Sequence, residues 1–519
     1  MLIGNYFKNV NFKHRNHSFS NLSFHSSECK KNSIFFAIKG NLFDGNKFIK
    51  HAVKKGAKTI VSNQKFEGVK KKVLYIRSKN VRKTLSIVSF KLQKSIPKNM
   101  IAVTGTNGKS SIANFYFQLL KFNKKKVGLL GTLGVQTNNR NINVSNTTLD
   151  PIKLSLNLNK FKRKKIDNVI LEASSHGLKQ NRLDGLNFNT AIFTNLSHDH
   201  LDYHKNFQDY LNSKLYLFKS LLKKGGNIIC DNQIPQYKKI IKIAHKRKLK
   251  INTISNKVGD ISVISHKYSK DLQIVNLVYK NIHYSFSTNL IGKIQIKNIL
   301  MSVLAAEKSG LKFKDLIKKI KNLKPVNGRI EKIGRIKNNS LVILDYAHTP
   351  DALKICLQNI KQQFQNRKIH LVFGCGGDRD KFKRPVMGKL VNEYCEKIYL
   401  TDDNPRKENP KKIRKEIKSK INKSKLIEIP SRKKAIAEAI KKLKSRDILI
   451  VAGKGHENIQ DYGKSKFFFS DKDCILKFID KKNNKLSNNL KLNIIKEESK
   501  NKNFPIKSKI KNASINSKE

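Results

Sequence analysis

The stretch Ile101–Ser111, IAVTGTNGKSS, constrains the fold of this chain more than any other part of the sequence. It starts with an apolar run that is typical of a buried parallel strand, continues through a glycine turn and leads into a predicted helix over Ile112–Leu120. In such a unit, glycines let backbone N–H groups approach a polyphosphate, and the helix N-terminus adds the positive end of its dipole. The turn therefore predicts a nucleotide phosphate site.

Two side chains at the end of this turn suit the same chemistry. Lys109 can reach the β- and γ-phosphates, and the hydroxyl of Ser110 can ligate Mg²⁺. The spacing, GxxGKS, is shorter than in the usual P-loop, so the motif is a variant in the right context. The alternative is an ordinary strand-to-helix turn, which would not need a lysine and a hydroxyl in succession.

The charge of the chain leaves two interpretations. Lys and Arg number 108 and Asp and Glu 37, a net charge of +71, which could indicate nucleic acid or an anionic membrane. The lysines are spread along the whole chain, however, and no aromatic residues alternate with them in a binding motif. A general compositional bias is therefore favoured, and no nucleic acid partner is expected.

Cysteine spacing and hydropathy indicate the cellular compartment. None of the cysteines forms a CxxC pair, so neither a zinc site nor a disulfide framework is predicted, which fits a reducing cytosol. The N-terminus has no apolar run of signal-peptide length, and the chain has no apolar stretch of about 18 residues. We expect a cytoplasmic protein without a membrane span, and a monomer.

The order of predicted elements indicates an α/β fold with three domains, in line with a length of 519 residues and a soft prior of one domain per ~150 residues. A small N-terminal α/β domain is predicted for residues 1–97, with strands at Ser33–Ile38, Thr59–Val61 and Val73–Ile76. A central P-loop ATPase-type domain with a mostly parallel sheet is predicted for 98–325, including strands and turns over 225–290. A Rossmann-like domain is predicted for 326–481, and a disordered basic tail rich in Lys, Asn and Ser for 482–519.

Polar residues follow two predicted strands of the central segment. Glu172 ends the strand Val169–Leu171, where a carboxylate can help hold the Mg²⁺ of a neighbouring phosphate loop. Three histidines and two aspartates lie within Thr194–His204, after the next strand, and predict a metal and phosphate site; the alternative is a solvated loop. From the residues alone, Lys214 on the next predicted helix would be a snorkelling side chain.

The third segment repeats this arrangement. Each of its predicted strands ends in polar residues, as open doubly wound sheets do around a ligand crevice. The strand ends are Asp345–Pro350, Gly374–Asp380, Thr401–Arg406 and Gly453–Glu457.

Taken together, these motifs resemble the Mur ligases, and more narrowly the branch that adds meso-diaminopimelate. The resemblance covers roughly residues 20–480 and is carried, in chain order, by GTNGKSS, EASSHGL, FTNLSHDHLDYH, NGRIEKI, DYAHTPDAL, FGCGGDRDKFKRPVMG, TDDNPR and GKGHE. It implies a UDP-binding, an ATP-binding and an amino-acid-binding domain. It also implies a role in peptidoglycan precursor synthesis, and so in cell-wall biogenesis, cell shape and cell division.

The resemblance implies a reaction and assigns residues to it. ATP would phosphorylate the D-glutamate carboxylate of UDP-N-acetylmuramoyl-L-Ala-D-Glu, and the amine of the new amino acid would attack the acyl phosphate. The implied catalytic residues are Lys109, Glu172, His200 and Lys214, and the implied metal ligands are Ser110, Glu172, His200 and a carbamylated Lys214. The implied ATP-binding residues are Gly105, Thr106, Asn107, Gly108, Lys109, Ser110, Ser111, Asn298, Arg329, Asp345 and His348.

Two further sets follow from the same resemblance. The UDP-muramoyl-dipeptide would be held by Phe24, Ser26, Asn41, Leu42, Phe43, Asn146, Thr147, Thr148, Ser174, Gln180 and Arg182. The diaminopimelate would be held by Arg379, Asp403, Asn404, Pro405, Arg406, Gly453 and Glu457. The sequence departs from the family at His25-Ser26-Ser27, where Asp-Ser-Arg is usual, and at Ile294 and Gln295 before Asn298.

Arg406 decides the expected amino acid. Diaminopimelate carries a distal carboxylate that lysine lacks, and an arginine offers it a bidentate fork, so diaminopimelate is favoured over L-lysine. Three rival functions are a D-glutamate-adding or folylpolyglutamate ligase, a nucleic-acid-stimulated NTPase and a non-catalytic protein on the same fold. The motifs DNPR, GDRD and GKGHE argue against the first, the missing helicase-type motifs against the second, and the intact lysines and acid against the third.

Overall fold

The computed structural model describes residues 1–40, 43–93, 95–144, 146–197, 199–200, 203–269 and 271–501, with side chains up to residue 487. The chain forms two compact units, Met1–Val326 and a second unit that starts at Asn327. The predicted boundary between the central and third domains, after residue 325, stays a prediction. The division of the first unit into domains 1–97 and 98–325 stays a prediction.

Strands and helices alternate along most of the described chain. The strands are β1 Asn21–Ser23, β2 Ser33–Phe36, β3 Ala57–Ser62, β4 Gly68–Lys70, β5 Val73–Arg77, β6 Asn99–Thr104, β7 Val127–Gly131, β8 Gly134–Thr137, β9 Arg140–Ile142, β10 Asn168–Glu172, β11 Phe188–Phe193, β12 Leu222–Asp231, β13 Lys250–Ser255, β14 Ile261–Ser269, β15 Leu272–Tyr279, β16 Ile282–Thr288, β17 Glu331–Arg335, β18 Leu341–Asp345, β19 Ile369–Phe373, β20 Lys397–Leu400, β21 Leu426–Glu428, β22 Ile448–Ala452, β23 Ile459–Asp461 and β24 Lys466–Phe468. The helices are α1 Ile49–Lys54, α2 Val81–Lys91, α3 Lys109–Phe122, α4 Pro151–Arg163, α5 Ser175–Lys179, α6 Phe207–Tyr216, α7 Tyr237–Arg247, α8 Lys293–Glu307, α9 Phe313–Lys319, α10 Pro350–Gln363, α11 Lys383–Tyr394, α12 Pro410–Lys418, α13 Arg432–Lys442 and α14 Asp471–Asn501.

The first unit contains two sheets. The N-terminal sheet has the order β1-β2-β3-β5-β4, with β4 antiparallel to its neighbour and the others parallel. The larger sheet has the order β16-β15-β14-β13-β12-β11-β6-β10-β7-β8-β9, and antiparallel strands occur only at its two ends within the described ranges. Parallel strands in its centre are the arrangement that the sequence predicted.

Register in the larger sheet brings three strand ends to one edge. Glu172 at the end of β10 pairs with Val103 of β6, and Phe193 at the end of β11 pairs with Thr104 of β6. Because β6 lies between β10 and β11, the turn after β6 opens between the turns that follow its neighbours. This is the position at which open α/β sheets bind ligands.

The core lies on both faces of this sheet. Ile101 and Val103 of β6 belong to one buried cluster, which includes apolar side chains of α3 and α8, while Met100 and Ala102 belong to the cluster on the other face. Successive strand residues point to opposite faces, so this alternation follows from strand geometry. Burial on both faces explains why the strand is continuously apolar.

The second unit contains a sheet of order β17-β18-β22-β19-β20-β21, in which only the β17–β18 pair is antiparallel among the described strands. A hairpin of β23 and β24 follows it. Three helices begin in the same way: the residue before the helix accepts a hydrogen bond from a backbone N–H of the first turn, and a proline is the first helical residue. They are Asp150 before α4, Thr349 before α10 and Asn409 before α12.

Two expectations from the sequence are corrected. Residues 225–290 contain the helix α7 as well as strands. Residues 482–501 continue α14 and are not a disordered tail: Lys482 Nζ donates to the carbonyl oxygens of Ile440 at 2.8 Å and Leu443 at 2.6 Å, and Leu486 packs on the core of this unit. The rest of the predicted tail, 502–519, lies outside the described residues.

The sequence analysis predicted neither a disulfide framework nor a membrane-spanning segment. All six cysteines are buried free thiols: Cys29, Cys230, Cys356, Cys375, Cys395 and Cys474. Through the described ranges, no helix combines the length and the apolar character that crossing a membrane requires.

Candidate functional site

The turn between β6 and α3 is shaped by two glycines with positive φ. Gly105 has φ +148° and Gly108 has φ +89°, values that residues with a side chain rarely adopt. A Cβ at Gly105 would lie 1.8 Å from Thr194 Oγ1, and a Cβ at Gly108 would lie 2.7 Å from Asn298 Oδ1. The loop therefore packs against the end of β11 and against α8, and the structure places predicted Asn298 beside it.

Backbone groups of the loop are held from the neighbouring strand end. Thr106 N donates to the carbonyl of Asn195 at 2.9 Å, and Asn107 N donates to Asn195 Oδ1 at 2.9 Å. The helix α3 then begins at Lys109, with its first turn formed by Lys109, Ser110 and Ser111. The predicted strand–turn–helix unit is present.

Two lysines converge on this loop. Lys109 Nζ donates to the carbonyl oxygens of Gly105 and Thr106, each at 2.9 Å, and Lys214 Nζ from α6 donates to the same Gly105 oxygen at 2.7 Å. Lys214 is only 1% exposed. Burial lowers the pKa of Lys214 well below its usual value, and the charge of Lys109 lowers it further. The structure thus places Lys214 beside the loop, as the family resemblance implied and as its residue type alone did not suggest.

Ser110 and Glu172 meet at the start of α3. Ser110 Oγ donates to Glu172 Oε2 at 2.9 Å, and Thr132 N donates to Glu172 Oε1 at 2.9 Å. Glu172 is 1% exposed, and its Oε2 also accepts a hydrogen bond from the Thr132 hydroxyl at 3.3 Å. These donors replace the water that burial excludes from the carboxylate. A serine hydroxyl beside a buried carboxylate, next to a phosphate loop, is the donor set that Mg²⁺ takes in such sites.

His200 belongs to an aromatic cluster over α6. Its ring lies 4.8 Å from the ring of His176 and 6.2 Å from that of Tyr210, and Lys214 Nζ lies 4.4 Å from the Tyr210 ring centroid. Tyr210 in turn bonds Thr106 of the loop at 3.0 Å between the two hydroxyl oxygens. His200 is thus connected to the loop through Tyr210. The described part of the chain contains no cluster of three His, Cys, Asp or Glu side chains arranged for a metal; His198, Leu201 and Asp202 lie outside it.

A cavity of about 780 Å³ in the first unit is lined by the N-terminal sheet and α2, by the start of α4 and by residues that follow α5. It brings together predicted substrate residues from distant parts of the chain: Phe24, Ser26, Phe43, Asn146, Gln180 and Arg182. Predicted Asn41 and Leu42 lie outside the described residues. A cavity of this size can take a ligand larger than a nucleotide alone.

The remaining predicted residues of this set are linked by hydrogen bonds to Arg182 of the cavity and to the strand end at Glu172. Arg182 Nη1 donates to the carbonyl of Thr148 at 2.6 Å, and Arg182 Nη2 donates to Gln180 Oε1 at 2.7 Å. Thr148 Oγ1 donates to the carbonyl of Glu172 at 2.8 Å and lies 3.0 Å from Ser174 Oγ. Thr147 Oγ1 lies 3.0 Å from Thr132 Oγ1. The substrate set and the phosphate loop therefore share the carboxylate strand end.

Three predicted nucleotide residues belong to the second unit. Asp345, at the end of β18, accepts from Ile330 N at 2.7 Å and from Ala347 N at 2.9 Å, and burial raises its pKa. The Arg329 guanidinium lies 4.3 Å from the centre of the Tyr346 ring, and His348 Nδ1 lies 2.9 Å from the Tyr346 carbonyl oxygen. These residues form one group around Tyr346.

The predicted amino-acid residues of the second unit meet at the ends of β19, β20 and β22. Arg406 has φ +52°, its N–H donates to the carbonyl of Asp461 at 2.9 Å and its Nη1 donates to the carbonyl of Gly377 at 2.7 Å. A Cβ at Gly453 would lie 2.7 Å from Asp403 Oδ2, and one at Gly377 would lie 1.9 Å from the Pro405 carbonyl oxygen. The loop is closely packed, and one nitrogen of the Arg406 guanidinium is held by a backbone oxygen.

Asn404 and Glu457 also meet here. Asn404 Nδ2 donates to Glu457 Oε2 at 2.9 Å, and Tyr346 OH donates to Glu457 Oε1 at 3.2 Å. Arg379 is exposed, and its Nη1 donates to the carbonyl of Asp378 at 3.4 Å, so it lies on the rim of the same loop. Within the predicted set, Asn404 contacts Glu457 and Asp403 packs against Gly453, while Pro405 and Arg406 both pack on Gly377.

Sequence reasoning missed three residues that contact the phosphate loop, Glu172 or the predicted amino-acid-binding residues. Thr132, Tyr210 and Lys454 contact predicted residues in the structure. Lys454 belongs to the GKGHE motif, so its motif was a signal that could have found it. Thr132 and Tyr210 carry no such signal, because only the register of β7 and the packing of α6 bring them to the loop.

Comparison with known proteins agrees with this architecture. The Mur ligase middle domain matches residues 103–306, the Mur ligase glutamate ligase domain matches 328–455, and the Mur ligase family catalytic domain matches 18–90. The chain belongs to the Mur ligase family.

Curated relatives of this chain share one particular ligase name. The chain is 40% identical over 468 residues to a protein of Rickettsia montanensis named UDP-N-acetylmuramoyl-L-alanyl-D-glutamate–2,6-diaminopimelate ligase, covering 89% of this chain and 96% of that protein. A protein of the same name from Wigglesworthia glossinidia brevipalpis is 39% identical, covering 89% of this chain and 95% of that protein.

Solved structures show the same fold. A ligase structure titled with the same name aligns with TM-score 0.69 at 30% identity, covering 92% of this chain and 99% of that one. A MurF ligase from Thermotoga maritima in complex with ADP aligns with TM-score 0.59 at 18% identity, covering 90% and 98%.

Proposed function

We propose that this chain is an ATP-dependent ligase that joins meso-diaminopimelate to the D-glutamate of UDP-N-acetylmuramoyl-L-Ala-D-Glu, in peptidoglycan precursor synthesis. The observation that carries the proposal is the phosphate loop, at which Lys109 and Lys214 converge beside the Ser110–Glu172 pair. This arrangement suits phosphoryl transfer, in which a protein mainly positions the reactants and neutralises charge.

The reaction needs a good leaving group, because a carboxylate is a poor electrophile. In the proposed reaction, ATP transfers its γ-phosphoryl group to the D-glutamate carboxylate and ADP leaves. The amine of the amino acid then attacks the acyl carbon, the acyl–phosphate bond breaks, and inorganic phosphate and a proton are released. Lys109 and the N–H groups of Gly105–Ser111 would hold the phosphates.

Mg²⁺ fits the residues beside the loop. Ser110 and Glu172 would hold one ion, and Glu172 and His200, with a carbamylated Lys214, would contribute to a second. Bound Mg²⁺ supplies charge neutralisation for the phosphates. Carbamylation needs a neutral amine, and burial favours the neutral form of Lys214. The reaction would take place in the cytoplasm, where ATP is available.

The cavity of the first unit suits the UDP-linked dipeptide. It is lined by aromatic and polar side chains, including Phe24 and Ser26, and by the guanidinium of Arg182. Arg182 would bind an anionic group of this substrate, and the Thr148–Ser174 pair would lie near the carboxylate that is activated.

Selection of diaminopimelate is assigned to the second unit. Arg406 would pair with the distal carboxylate, with Asp403, Asn404 and Glu457 holding the distal ammonium. L-Lysine lacks that carboxylate, so using it would leave the guanidinium without its anionic partner. The relatives named above carry diaminopimelate in their names, which supports the same choice.

The test measures ADP release with UDP-N-acetylmuramoyl-L-Ala-D-Glu and either amino acid. We expect release that depends on the UDP-dipeptide and is much faster with meso-diaminopimelate than with L-lysine. Equal or faster use of L-lysine would overturn the specificity, and release stimulated by DNA but not by the UDP-dipeptide would overturn the ligase.

A further inference from the structure

Lys454 is a fully buried lysine whose three N–H donors all have acceptors. Its side chain is 0% exposed, and Nζ donates to Ile459 O at 2.6 Å, to Asn404 Oδ1 at 3.0 Å and to Glu457 Oε2 at 3.4 Å. An ammonium has three donors and no acceptor, so this environment satisfies it completely. Its acceptors come from two chain segments, the loop that carries Asn404 and the stretch 457–459.

The contact with Asn404 determines which way the side-chain amide faces. Asn404 Oδ1 accepts from Lys454 Nζ and also from the N–H of Asp461 at 2.9 Å. Both donors require an oxygen at this position, so the amide nitrogen must occupy the other one. Asn404 Nδ2 then donates to Glu457 Oε2 at 2.9 Å.

The contact with Glu457 completes the orientation of that carboxylate. Oε2 accepts from Asn404 Nδ2 and Lys454 Nζ, and Oε1 accepts from the Tyr346 hydroxyl at 3.2 Å. A carboxylate offers about four acceptor positions, so a further donor can still bind. The carboxylate is thus held in one orientation while keeping capacity for a ligand.

Lys454 also reaches Arg406 through β23. Its bond to the Ile459 carbonyl holds the first residue of β23, whose last residue, Asp461, accepts the N–H of Arg406 at 2.9 Å. Arg406 has φ +52°, a conformation that a non-glycine residue keeps only when its surroundings hold it. The loop that carries Arg406 is therefore tied to the segment that Lys454 holds.

We propose that Lys454 is a positioning residue for the incoming amino acid, because its buried ammonium joins Asn404, Glu457 and β23 into one rigid group. The inference rests on the proposed function, since it takes Asn404 and Glu457 as the groups that bind the amino acid. It adds a residue that acts on amino-acid affinity without touching ATP or the UDP-dipeptide.

The test compares Lys454→Met with Lys466→Met in the full chain. Lys466 is exposed on β24, so its replacement removes the same charge without disturbing the group. For Lys454→Met we expect KM for the amino acid to rise at least about 10-fold, as when charge-assisted hydrogen bonds are lost, with KM for ATP and for the UDP-dipeptide within about 2-fold. Lys454→Arg, which keeps the charge and donors, should recover part of the affinity, and Lys466→Met should behave as wild type.

A double-mutant cycle separates positioning from general stability. If Lys454 acts through Asn404, then Asn404→Ala should raise the KM for the amino acid much less in the Lys454→Met background than in wild type. Additive effects, or a Lys454→Met enzyme with an unchanged KM, would overturn the inference. If Lys454→Met does not fold, the comparison passes to Lys454→Gln and Lys454→Arg, of which the arginine variant should have the lower KM; equal values would overturn the inference.

A failure of the Lys454 proposal can be distinguished from a failure of the proposed function. All variants are assayed with the amino acid that the wild-type enzyme ligates fastest, so the preference between diaminopimelate and L-lysine is measured first. An L-lysine preference would overturn the proposed specificity but leave the Lys454 comparison intact.

Discussion

Lys109 and Lys214 donate hydrogen bonds to one carbonyl oxygen, that of Gly105, although the two lysines lie 105 positions apart in the sequence. Burial of Lys214 removes water from its ammonium group, and the ammonium of Lys109 on the same acceptor adds repulsion. The charged form of Lys214 is therefore disfavoured, which is the physical condition that a reaction of its amine with CO₂ requires.

Activity is predicted to depend on bicarbonate through Lys214. The lowered pKa of Lys214 favours the neutral amine, and raising the pH favours it further. We expect enzyme freed of CO₂ to lose activity and to regain it on adding bicarbonate, whereas Lys214→Met should be inactive under both conditions. Wild-type activity that ignored bicarbonate would contradict carbamylation, and intact-mass measurement under bicarbonate would check the modification directly.

Removing the Ser110–Glu172 pair is predicted to alter the response to Mg²⁺. Ser110→Ala and Glu172→Gln each remove an oxygen ligand or its charge, so we expect the Mg²⁺ titration midpoint to rise and kcat to fall by about 100-fold or more for Glu172→Gln. Ser309→Ala serves as a control, since Ser309 Oγ bonds the Ala305 carbonyl away from the loop. An unchanged Mg²⁺ midpoint in both site variants would place the ion elsewhere.

His204 is predicted to make stability depend on pH. Its side chain is 0% exposed, and burial, with Lys179 contributing, lowers its pKa to about 4. The unfolded chain binds the proton near pH 6.5 and the folded chain only near pH 4, so stability is present above pH 6.5 and is lost as the pH falls towards 4. The shift corresponds to at most about 3 kcal/mol.

The measurement for His204 is denaturant unfolding at several pH values. Neither ring nitrogen of His204 has a hydrogen-bond partner among the described residues, so His204→Phe should fold. We expect the variant to lose less stability than wild type between pH 7 and pH 4. The same pH slope in both proteins would show that other groups cause the acid sensitivity.

Arg406→Ala is predicted to weaken binding of diaminopimelate. Losing a charge-assisted contact costs about 1.5–3 kcal/mol, so KM for diaminopimelate should rise about 10- to 150-fold, with KM for ATP unchanged. Arg446→Ala is the matched control, because Arg446 is also an arginine with positive φ, 64°, and is exposed. An Arg406→Ala enzyme with unchanged KM would move the carboxylate fork to another residue.

Local sequence was sufficient to predict the phosphate loop and the polar residues at the strand ends. The turn at Gly105–Ser110 follows from residue types within one short segment, since glycines permit its backbone and apolar neighbours bury its strand. Glu172 and Asp345 were predicted at the carboxyl ends of strands because an apolar run ends there. The helix α7 was missed although Tyr237, Ile240, Ile241 and Ala244 recur at helical spacing in YKKIIKIAHKR, so a local signal for it was present.

By itself, then, the sequence determined the α/β class, the phosphate loop and the strand ends that carry the motifs, because each depends on neighbours within a few residues. Only the tertiary structure decided that Lys214 meets Gly105, that Thr132 holds Glu172 and that Lys454 joins Asn404 to Glu457. These contacts depend on the order and register of strands far apart in the chain, and on burial that removes water from the lysines, neither of which any local pattern encodes.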